Sequence, residues 1–83
     1  KWIKFCYHFL NNGYQVRVYE AQKTASKYVT INKNGKSFKV RFSNHKPIKH
    51  RELNGDCDFF VGVTHTGVRT TDMAIAATEV FFK

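Results

Sequence analysis

Apolar residues recur at helical spacing from the start of the chain. Trp2, Phe5, Cys6, Phe9 and Leu10 fall on one stripe, and Asn11-Asn12-Gly13 then supplies the left-handed residue that commonly closes a helix. The pattern predicts a helix over residues 2–12. The period next drops to two: Tyr14, Val16 and Val18 alternate with Gln15, Arg17 and Tyr19, as in a half-buried strand. Residues 22–27 are polar and read as a loop. The strongest local signal follows, in which Asn34-Gly35 sits between two alternating runs, 28–33 and 36–42. A two-residue turn there sets Lys33 opposite Lys36, Ile31 opposite Phe38 and Val29 opposite Val40 on one face. On the other face it sets Tyr28 opposite Arg41 and Thr30 opposite Lys39.

Residues 44–55 hold the one proline, Pro47, and no periodicity, so they read as a connecting loop. A further strand is expected over Cys57 to Val63. After a turn around Gly67, Thr70 or Thr71 is placed to cap a second helix with Asp72 in its first turn. Met73, Ala76, Ala77, Val80 and Phe81 form that helix's expected buried stripe. The predicted class is α+β: helix, four-stranded mainly antiparallel sheet, helix, with both helices on one sheet face. The opposite face then carries Arg17, Tyr19, Tyr28, Lys39 and Arg41.

The 83 residues suit one domain, 1–83, and the apolar and aromatic content is enough for a core. Composition changes the picture mainly through charge. Fourteen Lys and Arg against six Asp and Glu leave +8, which favours a polyanionic partner. The charge is uneven: residues 1–51 carry +11 and residues 52–83 carry −3. Cys6 and Cys57 make no metal or redox motif and read as buried thiols, pointing to an intracellular, cytoplasmic setting. No apolar run is long enough to span a bilayer, so no membrane partner is expected, and no sequence motif implies a cofactor or metal.

Three candidate chemistries follow. A nucleic-acid surface needs cations to displace counterions and flat rings to stack on bases. Arg17, Lys39 and Arg41 offer the first, and Tyr19 and Tyr28 the second; the competing expectation is a solvated face whose rings and cations pack on each other. The tip residues Lys33 and Lys36, with the loop residues His45, Lys46, Lys49, His50 and Arg51, add phosphate contacts, Pro47 restraining the loop. Single strands are favoured over duplexes, because an exposed tyrosine needs an unstacked base. Ribonuclease chemistry would draw on His45, His50 and His65 with Lys46, and a metal-dependent nuclease on Glu52, Asp56 and Asp58. The predicted function is non-enzymatic nucleic-acid binding.

The helix, strands, helix order resembles the αβββα order of double-stranded RNA-binding domains, which would imply duplex recognition. Here Thr70-Thr71-Asp72-Met73-Ala74 lacks the lysines that open that family's second helix, and four strands are read. Residues 35–42 look distantly like an RNA-recognition-motif strand, although Phe38 and Phe42 share the core face. Val40-Arg41-Phe42-Ser43-Asn44-His45-Lys46-Pro47, followed by Asp58-Phe59-Phe60-Val61-Gly62, resembles small proteins encoded by bacteriophages and mobile elements. That resemblance implies a bacterial host cell and a second function class, binding of a host protein through the acidic C-terminal third with Phe81-Phe82.

Overall fold

The computed structural model describes residues 2–20, 26–43, 57–62 and 67–83, with only the backbone of 67–70. The elements are α1 (Trp2–Leu10), β1 (Gln15–Glu20), β2 (Lys27–Lys33), β3 (Lys36–Phe42), β4 (Phe59–Val61) and α2 (Gly67–Phe81). Among the described residues the α+β class and the helix, four strands, helix order stand as expected.

α1 ends as its sequence dictates. Gly13 takes φ +82°, the Tyr14 N–H donates to the Phe9 carbonyl at 3.0 Å, and the Gly13 N–H donates to that of Leu10 at 3.3 Å. Those two bonds satisfy carbonyls that a helix end leaves open. The accompanying apolar contact is present too, Tyr14 meeting the Phe9 ring edge-on at 5.1 Å. This closure delivers the chain directly into β1.

The sheet order is β1-β2-β3-β4. β1 pairs antiparallel with β2, setting Arg17 against Thr30 and Tyr19 against Tyr28. The β2–β3 hairpin has the predicted register at every pair, from Lys33 opposite Lys36 to Tyr28 opposite Arg41. Asn34 and Gly35 both adopt positive φ, 52° and 78°, as a two-residue hairpin turn of matching twist requires. β4 differs from the mainly antiparallel expectation. It is shorter than predicted and runs parallel to β3, with Arg41 beside Phe60.

One face of this sheet is covered. Val29, Ile31, Phe38, Val40, Phe42 and Val61 are buried against Phe5, Cys6 and Phe9 of α1 and Ala74 and Ile75 of α2. Phe42 packs on Phe5 at 5.5 Å and Phe38 on Phe81 at 5.1 Å, so both helices lie on the same side. Lys4 Nζ donates to Asp72 at 2.7 Å, and His8 Nε2 lies 3.3 Å from the Glu79 carboxylate. These contacts form a polar seam between the helices.

α2 departs from its predicted helical wheel. It begins at Gly67, so Thr71 and Asp72 lie within the helix and do not cap it, and Asp72 serves the seam instead. The buried stripe is Thr71, Ala74, Ile75 and Thr78, whereas Met73 and Val80 are 59% and 67% exposed, Ala76 is exposed and Phe81 is 40% exposed. Thr78 tolerates burial because its hydroxyl donates to the Ala74 carbonyl at 2.8 Å. A threonine satisfied within its own helix behaves as a small apolar residue toward the core.

Cys6 is buried, and burial pushes its thiol pKa up. Cys57 is half-buried, and the two cysteines form no disulfide. Among the described residues no helix is long and apolar enough to cross a membrane.

Candidate nucleic-acid interface

Strand alternation decides which residues can act together. With Val29, Ile31, Phe38, Val40 and Phe42 turned toward the helices, the register sets two rows on the opposite, outer face. The first row, crossing all four strands, is Tyr19, Tyr28, Arg41, Phe60. The second is Arg17, Thr30, Lys39. Every strand therefore contributes to one surface.

Cations and rings interleave in these rows. Tyr19 and Tyr28 are stacked, with centroids 5.3 Å apart and planes 11° from parallel. Lys39 Nζ lies 4.7 Å from the Tyr28 centroid and 5.5 Å from that of Tyr19. The Arg41 guanidinium lies between Tyr28 and Phe60, 5.6 Å from each centroid, and its Nε donates to Ser26 Oγ at 3.1 Å. Contacts of this kind fix a cation in place while leaving its charge intact. They also keep the rings from collapsing onto apolar neighbours.

The two tyrosines differ in access. Tyr19 is 39% exposed on the edge strand, while Tyr28 is only 8% exposed. Tyr28 thus does not present the open ring expected of it; it serves as an inner plate against which Tyr19, Lys39 and Arg41 are arranged. Arg17 is exposed, and Lys39 and Arg41 are half-buried. Phe60 completes the row: alternation turns it away from Phe59 and Val61, and the register of β4 sets it beside Arg41. The pairing across β3 and β4 is what reveals Arg41 as its neighbour.

Lys33 and Lys36 do not join this group. They share the face of Ile31 and Phe38, where Lys33 Nζ sits 4.5 Å from the Tyr14 ring and Lys36 Nζ 5.9 Å from that of Phe81. An open cleft beside them is lined by Gly13, Gln15, Asn32 and the turn itself. The hairpin tip is therefore a second basic locus on the helical side. The loop residues His45, Lys46, Lys49, His50 and Arg51 lie outside the described residues, as do His65, Glu52 and Asp56.

The described carboxylates stand mostly away from the outer rows. Glu20 pairs with Lys27 on the helical side, where Lys27 Nζ also lies 5.8 Å from the Trp2 ring. That lysine's hydrogen bond and charge hold the Glu20 carboxyl below the usual carboxylate range. Asp72 and Glu79 belong to the seam between the helices. Asp58, at the start of β4, accepts the Lys39 backbone N–H at 2.7 Å, and its own N–H donates to the Lys39 carbonyl at 2.7 Å. It extends the sheet ladder by its side chain. Among the described residues no cluster of His, Cys, Asp and Glu could hold a metal ion.

Comparison with protein-family models, with curated proteins and with solved structures finds no match to this chain.

Proposed function

We propose that the protein binds single-stranded nucleic acid across the outer face of its sheet, without catalysing a reaction on it. The observation that supports this reading is the interleaving of Arg17, Lys39 and Arg41 with Tyr19, Tyr28 and Phe60 on that face, while Glu20, Asp72 and Glu79 are paired on the other. Arg17 and Tyr19 are the exposed contacts. Tyr19 offers a base a ring held upright by Tyr28, and Arg17 lies two residues along the same strand to meet a phosphate. Lys39 and Arg41, half-buried on the same face, offer two further phosphate contacts. A bacteriophage or mobile-element setting belongs to the same proposal, resting on the residues around Val40–Pro47 and Asp58–Gly62.

Titration of a fluorescently labelled oligonucleotide, single-stranded and duplex, at two salt concentrations tests it. Three phosphate contacts on a single strand give a slope of log affinity against log salt of about −2. Loss of one stacked base on Tyr19→Ala costs roughly 1–3 kcal/mol. Absence of binding at low salt, or binding indifferent to salt, removes the proposal.

One observation favours a second reading, a protein partner: Met73 and Val80 stand exposed along α2. If that is the true interface, Met73→Ser with Val80→Ser abolishes retention of a bacterial protein from nuclease-treated lysate. The oligonucleotide titration would then be unchanged by the same pair.

A further inference from the structure

Among the described residues, one margin of the sheet is left open. β1 is an outermost strand whose six residues pair with β2 in unbroken register; it contains neither proline nor lysine, and of its two charged residues Glu20 is already held by Lys27 on the inner face while Arg17 stands on the outer face. Its helix-facing valine, Val18, is 39% exposed, so the core does not end flush with the edge. α1 packs over β1 and β2 on the inner side of that margin. Lys4 and His8 turn one flank of α1 toward α2, so the opposite flank, bearing Ile3, Tyr7 and Leu10, looks toward β1. Those three residues are 51%, 60% and 50% exposed. An exposed strand edge under an exposed apolar helix flank is a shelf with the shape to accept one more strand.

We propose that the occupant is a second copy of this chain, its β1 pairing antiparallel with the first about a two-fold axis through Val18. Faces and charges select this arrangement. Residues directly opposite in an antiparallel pair share a face, which excludes setting Arg17 against Val18. Two registers then align the middle of the strand. One opposes Arg17 to its own copy, and like charges directly opposite are unfavourable. The other opposes Val18 to Val18 and, on the outer face, Arg17 to Tyr19 of the second copy, twice by symmetry. Each guanidinium thereby meets the side of the Tyr19 ring turned away from Tyr28, continuing the alternation of ring and cation already built across the four strands. On the inner face the two Val18 side chains cover each other beneath facing α1 flanks. Such an interface is isologous and closed, so it stops at two copies.

Self-pairing does not depend on nucleic-acid binding. Its consequence for that function is that Arg17 of each copy occupies the Tyr19 ring face otherwise offered to a base, so self-pairing competes with stacking at Tyr19, while Lys39 and Arg41 of both copies fall on one sheet face. One strand pair and one helix flank make a small interface, so the dimer is expected to dissociate in the range of roughly micromolar to millimolar.

Sedimentation equilibrium of the whole chain, from ~10 μM to ~1 mM, measures the association. The expected result is a reversible monomer–dimer equilibrium that Val18→Lys weakens at least tenfold. Val18 is already part-exposed, so that variant should retain the native circular dichroism and melting transition. Cross-linking fixes the register independently. In a Cys57→Ser background, Val18→Cys places identical residues across the axis, about 4.5–5.5 Å apart at Cα and within disulfide reach, whereas Val16→Cys faces Glu20 of the second copy. Mild oxidation should cross-link the first variant and not the second. A chain that stays monomeric throughout, a dimer untouched by Val18→Lys, or equal cross-linking at both positions overturns the proposal.

Discussion

Lys36 and Lys39 stand three residues apart on one strand and project from opposite faces, Lys36 over the Phe81 ring on the helical side and Lys39 over Tyr28 on the outer side. Charge counted along the chain places them together; the pleat separates them. If nucleic acid lies on the outer face, Lys39→Gln weakens binding of a single-stranded oligonucleotide and lowers the salt slope by about 0.7–1. Lys36→Gln should change neither quantity appreciably. Equal losses from the two variants would show that contact does not follow the sheet face.

The two sides of α2 should answer mutation differently. Ile75→Ala removes a buried side chain and is expected to cost roughly 2–5 kcal/mol, while Val80→Ala on the exposed side stays within about 0.5 kcal/mol. Urea unfolding of both variants at one temperature gives the comparison. A larger loss at Val80 than at Ile75 would mean that the helix is rotated from the described orientation.

Phe9 is wholly buried, with Phe5 at 4.9 Å and Tyr14 at 5.1 Å, and it also supplies the carbonyl that closes α1. Phe9→Ala is expected to cost roughly 3–5 kcal/mol, a large share of the 5–15 kcal/mol that holds an ordinary domain folded. Its melting temperature should fall further than that of any single substitution on the outer face.

The hairpin turn allows a test of backbone alone. Asn34 has φ 52°, a conformation that costs a β-branched residue about 1–2 kcal/mol, so Asn34→Val should destabilise by that amount although the side chain is exposed. Thr30→Val, on the outer face of β2, has no such backbone conflict. Parallel melts of the two variants separate turn strain from strand preference.

Acid should remove one small stabilising contribution. Lys27 lowers the Glu20 pKa, so the contribution is complete above the unfolded carboxylate value, about 4.3, and disappears as pH falls through the lower folded value. Glu20→Gln should therefore lower the melting temperature slightly at neutral pH, and the difference from the parent chain should close as pH falls below the ordinary carboxylate range. A difference constant across that range would mean that the pair contributes nothing through charge.

Much of this architecture was legible where short-range chemistry decides it. Asn34-Gly35 admits one tight turn, and that turn fixed every β2–β3 pair, including Tyr28 with Arg41. Gly13 marked the end of α1 for an equally local reason. The stripe of α2 was misread because Met73, Ala76 and Val80 look apolar while Thr71 and Thr78 look polar, and the bond from Thr78 to Ala74 is invisible in a hydropathy pattern. The direction of β4 could not be read either, since a connection as long as that between Phe42 and Phe59 permits both parallel and antiparallel return. The face of Phe60 follows from alternation with Phe59 and Val61, but its meeting with Arg41 depends on that direction and register. The separation of Lys33 and Lys36 from Lys39 and Arg41 was available from alternation alone; it was obscured by summing charge over segments instead of over faces.

The parallel seam between β3 and β4 is the part of the sheet expected to open first. α1, β1, β2 and β3 follow one another within short stretches of sequence, whereas the three residues of β4 come from far along the chain to pair with β3. Amide protons of Phe60 and Val61 should consequently exchange before those of Val29 and Val40. When that seam opens, Arg41 loses Phe60 from one side, so the local unfastening of a three-residue strand would loosen a guanidinium that the intact sheet holds still.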